Sequence, residues 1–347
     1  MINLCVIGCG VVASGWHGPS YIRYKENGGA IRLLACCDAN ETKAESFRNR
    51  FHFERSYTDY EEMLEKERPH AVCILISESG MASVATEVLR RSIPCLIEKP
   101  PGLDCAEVDQ LIQLAAENDV PHQVALNRRF MPLLIEAKDR LPKDGAPPGL
   151  QFASLEVVRY DRRDPDFSTT AIHGIDTLRF VLDDEFSTLD FQYVEMPALG
   201  RGVANFQAQG VTRRGIGVQV HFCPVAGARF ERLTLHSLDR TLIVELPENS
   251  FSRGSAGLMR EIADGNETFR VNGEDLVGTA ETFVTGGAYA ENVDFFEALQ
   301  RKVKPRVDLL SARESVAIMQ SMRERRGRYC YDVDSVEESA AWTSLPV

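Results

Sequence analysis

The sequence predicts an α/β protein: an N-terminal doubly wound parallel sheet, then an α+β domain with an open antiparallel sheet. Three observations carry that expectation. Residues 1–125 alternate short apolar runs with polar helical stretches. Residues from about 150 to 250 alternate apolar and polar with period two. The length, 347 residues, corresponds to two domains at roughly 150 residues each.

In the first region strands are expected at Ile2–Ile7, Ile31–Cys37, Ala71–Ile76, Cys95–Ile97 and Gln123–Ala125. Each run is too short for a helix and is followed by polar helical sequence, the pattern of βαβ units buried on both faces. Right-handed crossovers then make a doubly wound sheet. Thr58-Asp59-Tyr60-Glu61 reads as a capping box opening one helix.

In the second region Ile216, Val218, Val220 and Phe222 share one parity, as do Leu242, Val244 and Leu246, and Leu189, Phe191 and Tyr193. Such strands cover one face and leave the other more polar. Ser237-Leu238-Asp239-Arg240 is expected to turn a hairpin. Beyond 285 the chain reads as helical again, with Tyr289, Val293, Phe296 and Leu299 on one stripe. Ser311-Ala312-Arg313-Glu314 resembles a second capping box, and Arg323, Arg325, Arg326 and Arg328 suit the end of that helix. The expected division is a nucleotide-binding domain over 1–125, a substrate and oligomerisation domain over 126–330, and an acidic tail over 331–347.

Composition narrows the partners. Lys and Arg number 39 against 51 Asp and Glu, a net charge of −12, which argues against a nucleic-acid backbone as partner. No apolar run reaches the roughly 18 residues of a membrane span. The start, MINLCVIGCG, lacks the basic segment and cleavage site of a signal peptide. Nine cysteines, five of them within apolar runs, read as core filler in a reducing cytoplasm. There is no C-x-x-C pair, and the seven histidines form no cluster with metal-ligand spacing.

Three motifs carry chemistry. The first is Gly8-Cys9-Gly10-Val11-Val12-Ala13, directly after a strand and opening a helix. Gly8 permits the tight turn, Gly10 admits a pyrophosphate, and small Ala13 lets helix and strand pack closely. Asp38 ends the second strand, where a carboxylate accepts ribose hydroxyls and repels a 2′-phosphate, so NAD is expected ahead of NADP. Val11, Val12 and Ser77 are counted as cofactor contacts with them. The second is Glu98-Lys99-Pro100 at a strand's C-terminal end, where doubly wound sheets hold ligands. Lys99 reads either as a polarising cation or as a surface lysine in a turn stiffened by Pro100. In the third, Thr169, His173 and Asp176 share a helical face, so His173 and Asp176 form a candidate acid/base and orienter. A histidine of purely structural role fits the same spacing.

Together these motifs resemble the glucose–fructose oxidoreductase / inositol dehydrogenase / rhizopine-catabolism (Gfo/Idh/MocA) family. Asn127-Arg128-Arg129-Phe130 with Pro132, and the late Tyr289-to-Leu299 helix leading to Pro305, extend the resemblance over nearly the whole chain. It implies a Rossmann domain, NAD(P)-dependent oxidation or reduction of sugars, cyclitols or polyols, and a homodimer or homotetramer built through the C-terminal sheet. It also implies that Lys99 and His173 contact the reacting oxygen, and that Asn127 and Arg128 lie beside nicotinamide and substrate. Glu98 and Lys99 are counted with the cofactor contacts. Many relatives carry an aspartate where this chain has Thr169, so Asp166 or Asp176 is the expected substitute. Met81 stands where relatives often have a histidine. Two other readings remain on the same fold: a non-catalytic NAD-sensing regulator, and NAD-assisted sugar elimination or glycoside cleavage. Arg128, Arg129, Arg159, Arg162 and Arg163 suggest an anionic substrate, or else partner the chain's acid excess.

Overall fold

The computed structural model describes residues 1–141, 149–247 and 255–332. The described chain forms two compact units, residues 1–127 with 288–316, and residues 128–287 with 317–332. Residues 288–316, assigned to the second domain on sequence, cluster instead with the first. The apolar stripe is the reason: Phe295 and Phe296 are fully buried in the first unit's core with Leu4, Tyr21 and Leu96, and Tyr289, Val293 and Leu299 pack against it.

The first unit is a six-stranded parallel sheet: β1 (Ile2–Ile7), β2 (Ile31–Cys37), β3 (Arg55–Tyr57), β4 (Ala71–Ile74), β5 (Cys95–Glu98) and β6 (His122–Ala125), in the order β3-β2-β1-β4-β5-β6. Sequence order reverses beside β1, the switch point at which such sheets open a ligand crevice. Apolar periodicity located five strands; β3, three residues long at the sheet edge, carries too short a signal to read. The cap at Thr58–Glu61 is shifted by one residue. Asp59, not Thr58, accepts from the Glu61 and Glu62 amides and opens the helix Tyr60–Glu67. The same correction holds for Ser311–Glu314, because Asp308 accepts from the Ser311 amide and the helix Leu309–Arg323 has already begun.

The second unit is a nine-stranded sheet: β7 (Leu150–Tyr160), β8 (Phe186–Glu195), β9 (Ala204–Thr212), β10 (Gly217–Ala226), β11 (Phe230–Ser237), β12 (Thr241–Glu245), β13 (Leu258–Ala263), β14 (Asn266–Asn272) and β15 (Arg328–Cys330). Their order is β14-β13-β12-β11-β7-β10-β9-β8-β15. The expected antiparallel sheet is in fact mixed, because β7 and β10 run parallel. A parallel neighbour needs a long crossover, and helix Ser168–Leu182 with the β8–β9 hairpin supplies it. One face is covered: Val218, Val220, Phe222, Leu242 and Val244 are buried in a common core with Ile175 and Leu178 of that helix. Ser237 and Arg240 close the expected hairpin through a 2.8 Å bond. Arg323, Arg325, Arg326 and Arg328 each reach a carboxylate, on Asp166, Glu195, Glu324 and Asp190. Of the acidic tail, residues 333–347 lie outside the described residues.

Candidate functional site

The sequence-selected residues divide between the units. Gly8, Gly10, Val11, Val12, Asp38, Ser77, Glu98, Lys99 and Asn127 belong to the first, and Arg128, Arg163, Asp166, Thr169, His173 and Asp176 to the second.

In the first unit the turn after β1 has the shape its sequence requires. Gly8 sits at φ +97°, and a Cβ there would lie 2.3 Å from the Leu75 carbonyl oxygen, so only glycine fits. Over Gly10 a Cβ would meet nothing within 4 Å. Val11 and Val12 are 65% and 42% exposed, apolar side chains left open beside that space. Asp38, past the end of β2, is held in place: Oδ2 accepts from the Cys9 amide at 2.9 Å and Oδ1 from the Asn40 amide at 2.9 Å. A fixed carboxylate beside an open glycine turn fits the ribose and pyrophosphate of a dinucleotide.

The interval from Gly10 to Asp38 includes a helix with a π segment. Ala13–His17 is a π-helix that continues into the helix Gly18–Glu26. Such wide turns often mark functional positions. Here the segment points His17 into the core, 2% exposed, with Nδ1 3.2 Å from Asn292 Oδ1. Burial pulls its imidazole down to about 4, so it is neutral. A lone histidine inside a short helix gave no signal for this role.

At the end of β5, Glu98 and Lys99 are half-buried, and the Lys99–Pro100 peptide is cis. Burial pushes the Glu98 carboxyl up to about 7, against the opposing pull of Lys99. Ser77 begins the helix Glu78–Arg90 as its N-terminal flanking residue, and Met81 is fully buried in that helix.

In the second unit the five candidate arginines each meet a carboxylate. Arg128 makes a forked pair with Glu231, both contacts at 2.6 Å, and Arg159 joins the same carboxylate. All three are nearly buried. Burial opposes charge on Glu231, yet the two guanidiniums hold it below the usual carboxylate range. Arg162 pairs with Asp164 and Arg163 with Asp161, both on the surface. Arg129 pairs with Asp176. Each of the five arginines thus has a carboxylate of its own chain, as partners for the acid excess would. Glu231 was not singled out from sequence, because a lone glutamate in a strand carries no pattern.

The two proposed aspartate substitutes are also engaged. Asp166 Oδ1 accepts from the Ser168 amide at 3.0 Å and from its hydroxyl, a short side-chain turn opening the helix. Its Oδ2 lies 3.5 Å from Arg323. Asp176, 1% exposed, takes both donors of Arg129. This pair anchors the His173 helix to Arg129. Thr169 and His173 remain half-buried on the shared face. Among the described residues no group of three or more His, Cys, Asp or Glu could hold a metal ion, and no helix is long and apolar enough to cross a membrane.

Residues 2–126 match the family described as "Oxidoreductase family, NAD-binding Rossmann fold" (GFO_IDH_MocA). The inositol 2-dehydrogenase of Salmonella typhimurium is 22% identical over 198 residues, 55% of this chain and 59% of that protein. The chain thus spans 59% of the length of this curated relative. Among solved structures, an oxidoreductase from Agrobacterium radiobacter in complex with NAD+, L-tartaric acid and magnesium superposes with a TM-score of 0.76. It is 15% identical, and the match covers 95% of this chain and 98% of that one. The UDP-N-acetylglucosamine 3-dehydrogenase of Acidithiobacillus ferrooxidans superposes with a TM-score of 0.75 at 20% identity, covering 92% and 95%. At these identities the structural likeness establishes the fold.

Proposed function

Because residues 2–126 match the NAD-binding Rossmann model of the Gfo/Idh/MocA oxidoreductase family, we propose that the chain is a member of that family and an NAD-dependent dehydrogenase or reductase acting on a sugar, cyclitol or polyol. The observation that carries the reading is Asp38, pinned by the Cys9 and Asn40 amides beside the open turn at Gly10. Bound nicotinamide supplies the hydride chemistry. Gly8 and Gly10 shape the pyrophosphate cradle and Asp38 accepts the ribose hydroxyls. Lys99 donates to the reacting oxygen and His173 takes or returns its proton. The carbohydrate class is supported by the relatives, one acting on inositol and one on a nucleotide sugar. With the five candidate arginines each paired to a carboxylate, the reading favours an uncharged polyol over an acid.

The same reading includes a homo-oligomer formed through the open face of the nine-stranded sheet. Phe152 and Val211 are exposed on that face, in register through Gly217. Calorimetric titration with NAD+ and NADP+, then NADH formation with a panel of polyols, tests the activity. No binding of either cofactor would end the reading, and tight NAD+ without turnover on any substrate would favour a regulator.

A further inference from the structure

The sheet face beneath helix Ala288–Arg301 carries a layer of buried polar groups that the reading above does not use. Register places Leu96 opposite Gln123 and Glu98 opposite Ala125. Glu98 and Gln123 therefore share the face on which Leu96 and Ala125 join the core with Phe295 and Phe296. The helix contributes Glu291 and Asn292, 1% and 0% exposed. Gln123 donates Nε2 to the Glu291 main-chain oxygen at 2.9 Å. Two acceptors of this layer, Gln123 Oε1 and Glu291 Oε1, are buried without a hydrogen-bond partner. Such a layer is short of donors, and a proton on Glu291 supplies one. Glu98, in turn, accepts from the Lys99 main-chain amide, and the Lys99 charge favours its ionised form.

We propose that Glu98 is a positioning residue for Lys99, and that Glu291, kept protonated on the facing helix, leaves Glu98 as the one negative charge of this layer. The inference rests on the role given to Lys99 above. A half-buried carboxyl and a fully buried one that feel each other's charge do not both ionise readily. Burial, then Glu98, then Asp294 push Glu291 well above the carboxylate range, whereas Glu98 lies near 7. The other facing groups stay fixed around neutrality. His17 is held neutral by burial, the Cys73 thiol is pushed up to about 12, and Tyr21 is raised well above its ordinary value. Asp294 is paired with Arg306. As pH rises through about 7, the layer gains one negative charge, at the residue next to Lys99. Below that point the carboxyl next to Lys99 is neutral.

Infrared difference spectra of the full chain without substrate, from about pH 5 to about pH 9, resolve protonated carboxyls across the relevant range. Wild type is expected to keep one buried protonated carboxyl throughout, absent from Glu291→Gln. A second should disappear near pH 7 and be absent from Glu98→Gln. In turnover, wild type should show an acid limb near 7 that Glu98→Gln lacks, with kcat lowered at least about tenfold and KM changed less. Glu291→Gln should leave the limb in place. Should Glu98→Gln not fold, Glu98→Asp keeps a titrating carboxyl and should displace the limb. No buried protonated carboxyl at about pH 8, an acid limb retained in Glu98→Gln, a limb unmoved in Glu98→Asp, or a limb moved acidward in Glu291→Gln would each overturn the proposal. If no substrate turns over, the proposed activity fails while the infrared result still decides the pair.

Discussion

Asp176 accepts both forked donors of Arg129, at 2.9 and 2.6 Å, and is 1% exposed. This pair ties the helix that bears His173 to the Asn127–Phe130 turn. Removing one partner of a buried pair leaves an uncompensated charge, at a cost of about 3–5 kcal/mol. Asp176→Ala is therefore expected to lose stability of that order in urea unfolding. Arg129→Lys should recover only part of the wild-type value, since an ammonium cannot fork. A loss well under about 1 kcal/mol in Asp176→Ala would show that the anchor is not structural.

NAD+ is expected to bind more tightly than NADP+, because a 2′-phosphate would meet the Asp38 carboxylate, itself fixed by two amides. Gly10→Leu should abolish binding of both by filling the space open over that residue. Titration calorimetry checks each expectation, and tighter NADP+ would remove the role given to Asp38.

Lys99→Met and His173→Ala are each expected to retain NAD+ affinity within a few-fold and to lower kcat by roughly 10²–10⁴, the usual range for a positioned proton-transfer group. The double variant should cost far less than the product of the single losses, because residues acting together are not additive. Undiminished turnover in His173→Ala would exclude it from the chemistry.

Asp166→Asn is expected to leave the pH–rate profile unmoved. Its carboxylate serves the helix start at Ser168 and faces Arg323, so the variant should cost about 1 kcal/mol as a lost cap does. A displaced limb would restore it as partner of His173.

His17 makes stability depend on pH. Its folded value is pulled from 6.5 down to about 4, so between those values the unfolded chain binds the proton that the folded chain refuses. Stability is full above 6.5 and falls with pH toward 4, by about 3 kcal/mol at roughly 1.4 kcal/mol per unit. Urea unfolding at several pH values, compared with His17→Gln, should show a weaker acid dependence in the variant. Identical slopes would mean that His17 is not held neutral.

Local pattern was enough to read most of the fold and the glycine turn after β1. Gly8, Gly10 and Asp38 lie at ends of strands whose apolar period is set by neighbours in the chain, and the tight turn at Gly8 is a property of that residue's own φ. Partner choice was not legible in the same way. Arg128 and Arg159 converge on Glu231, 103 and 72 positions away. Asp176 reaches back 47 positions to Arg129, and His17 meets Asn292 across 275. Asp166 faces Arg323, far along the chain, in the same way. The parallel β7–β10 pair and the return of Ala288–Arg301 to the first unit are of the same kind. Periodicity is a short-range property of the chain, so the sequence by itself determined most strands and helices and the glycine turn after β1. Which buried charge neutralises which, and therefore which residues remain to meet a substrate, only the tertiary structure decided, because a buried charge is stabilised by whichever partner the packing brings near.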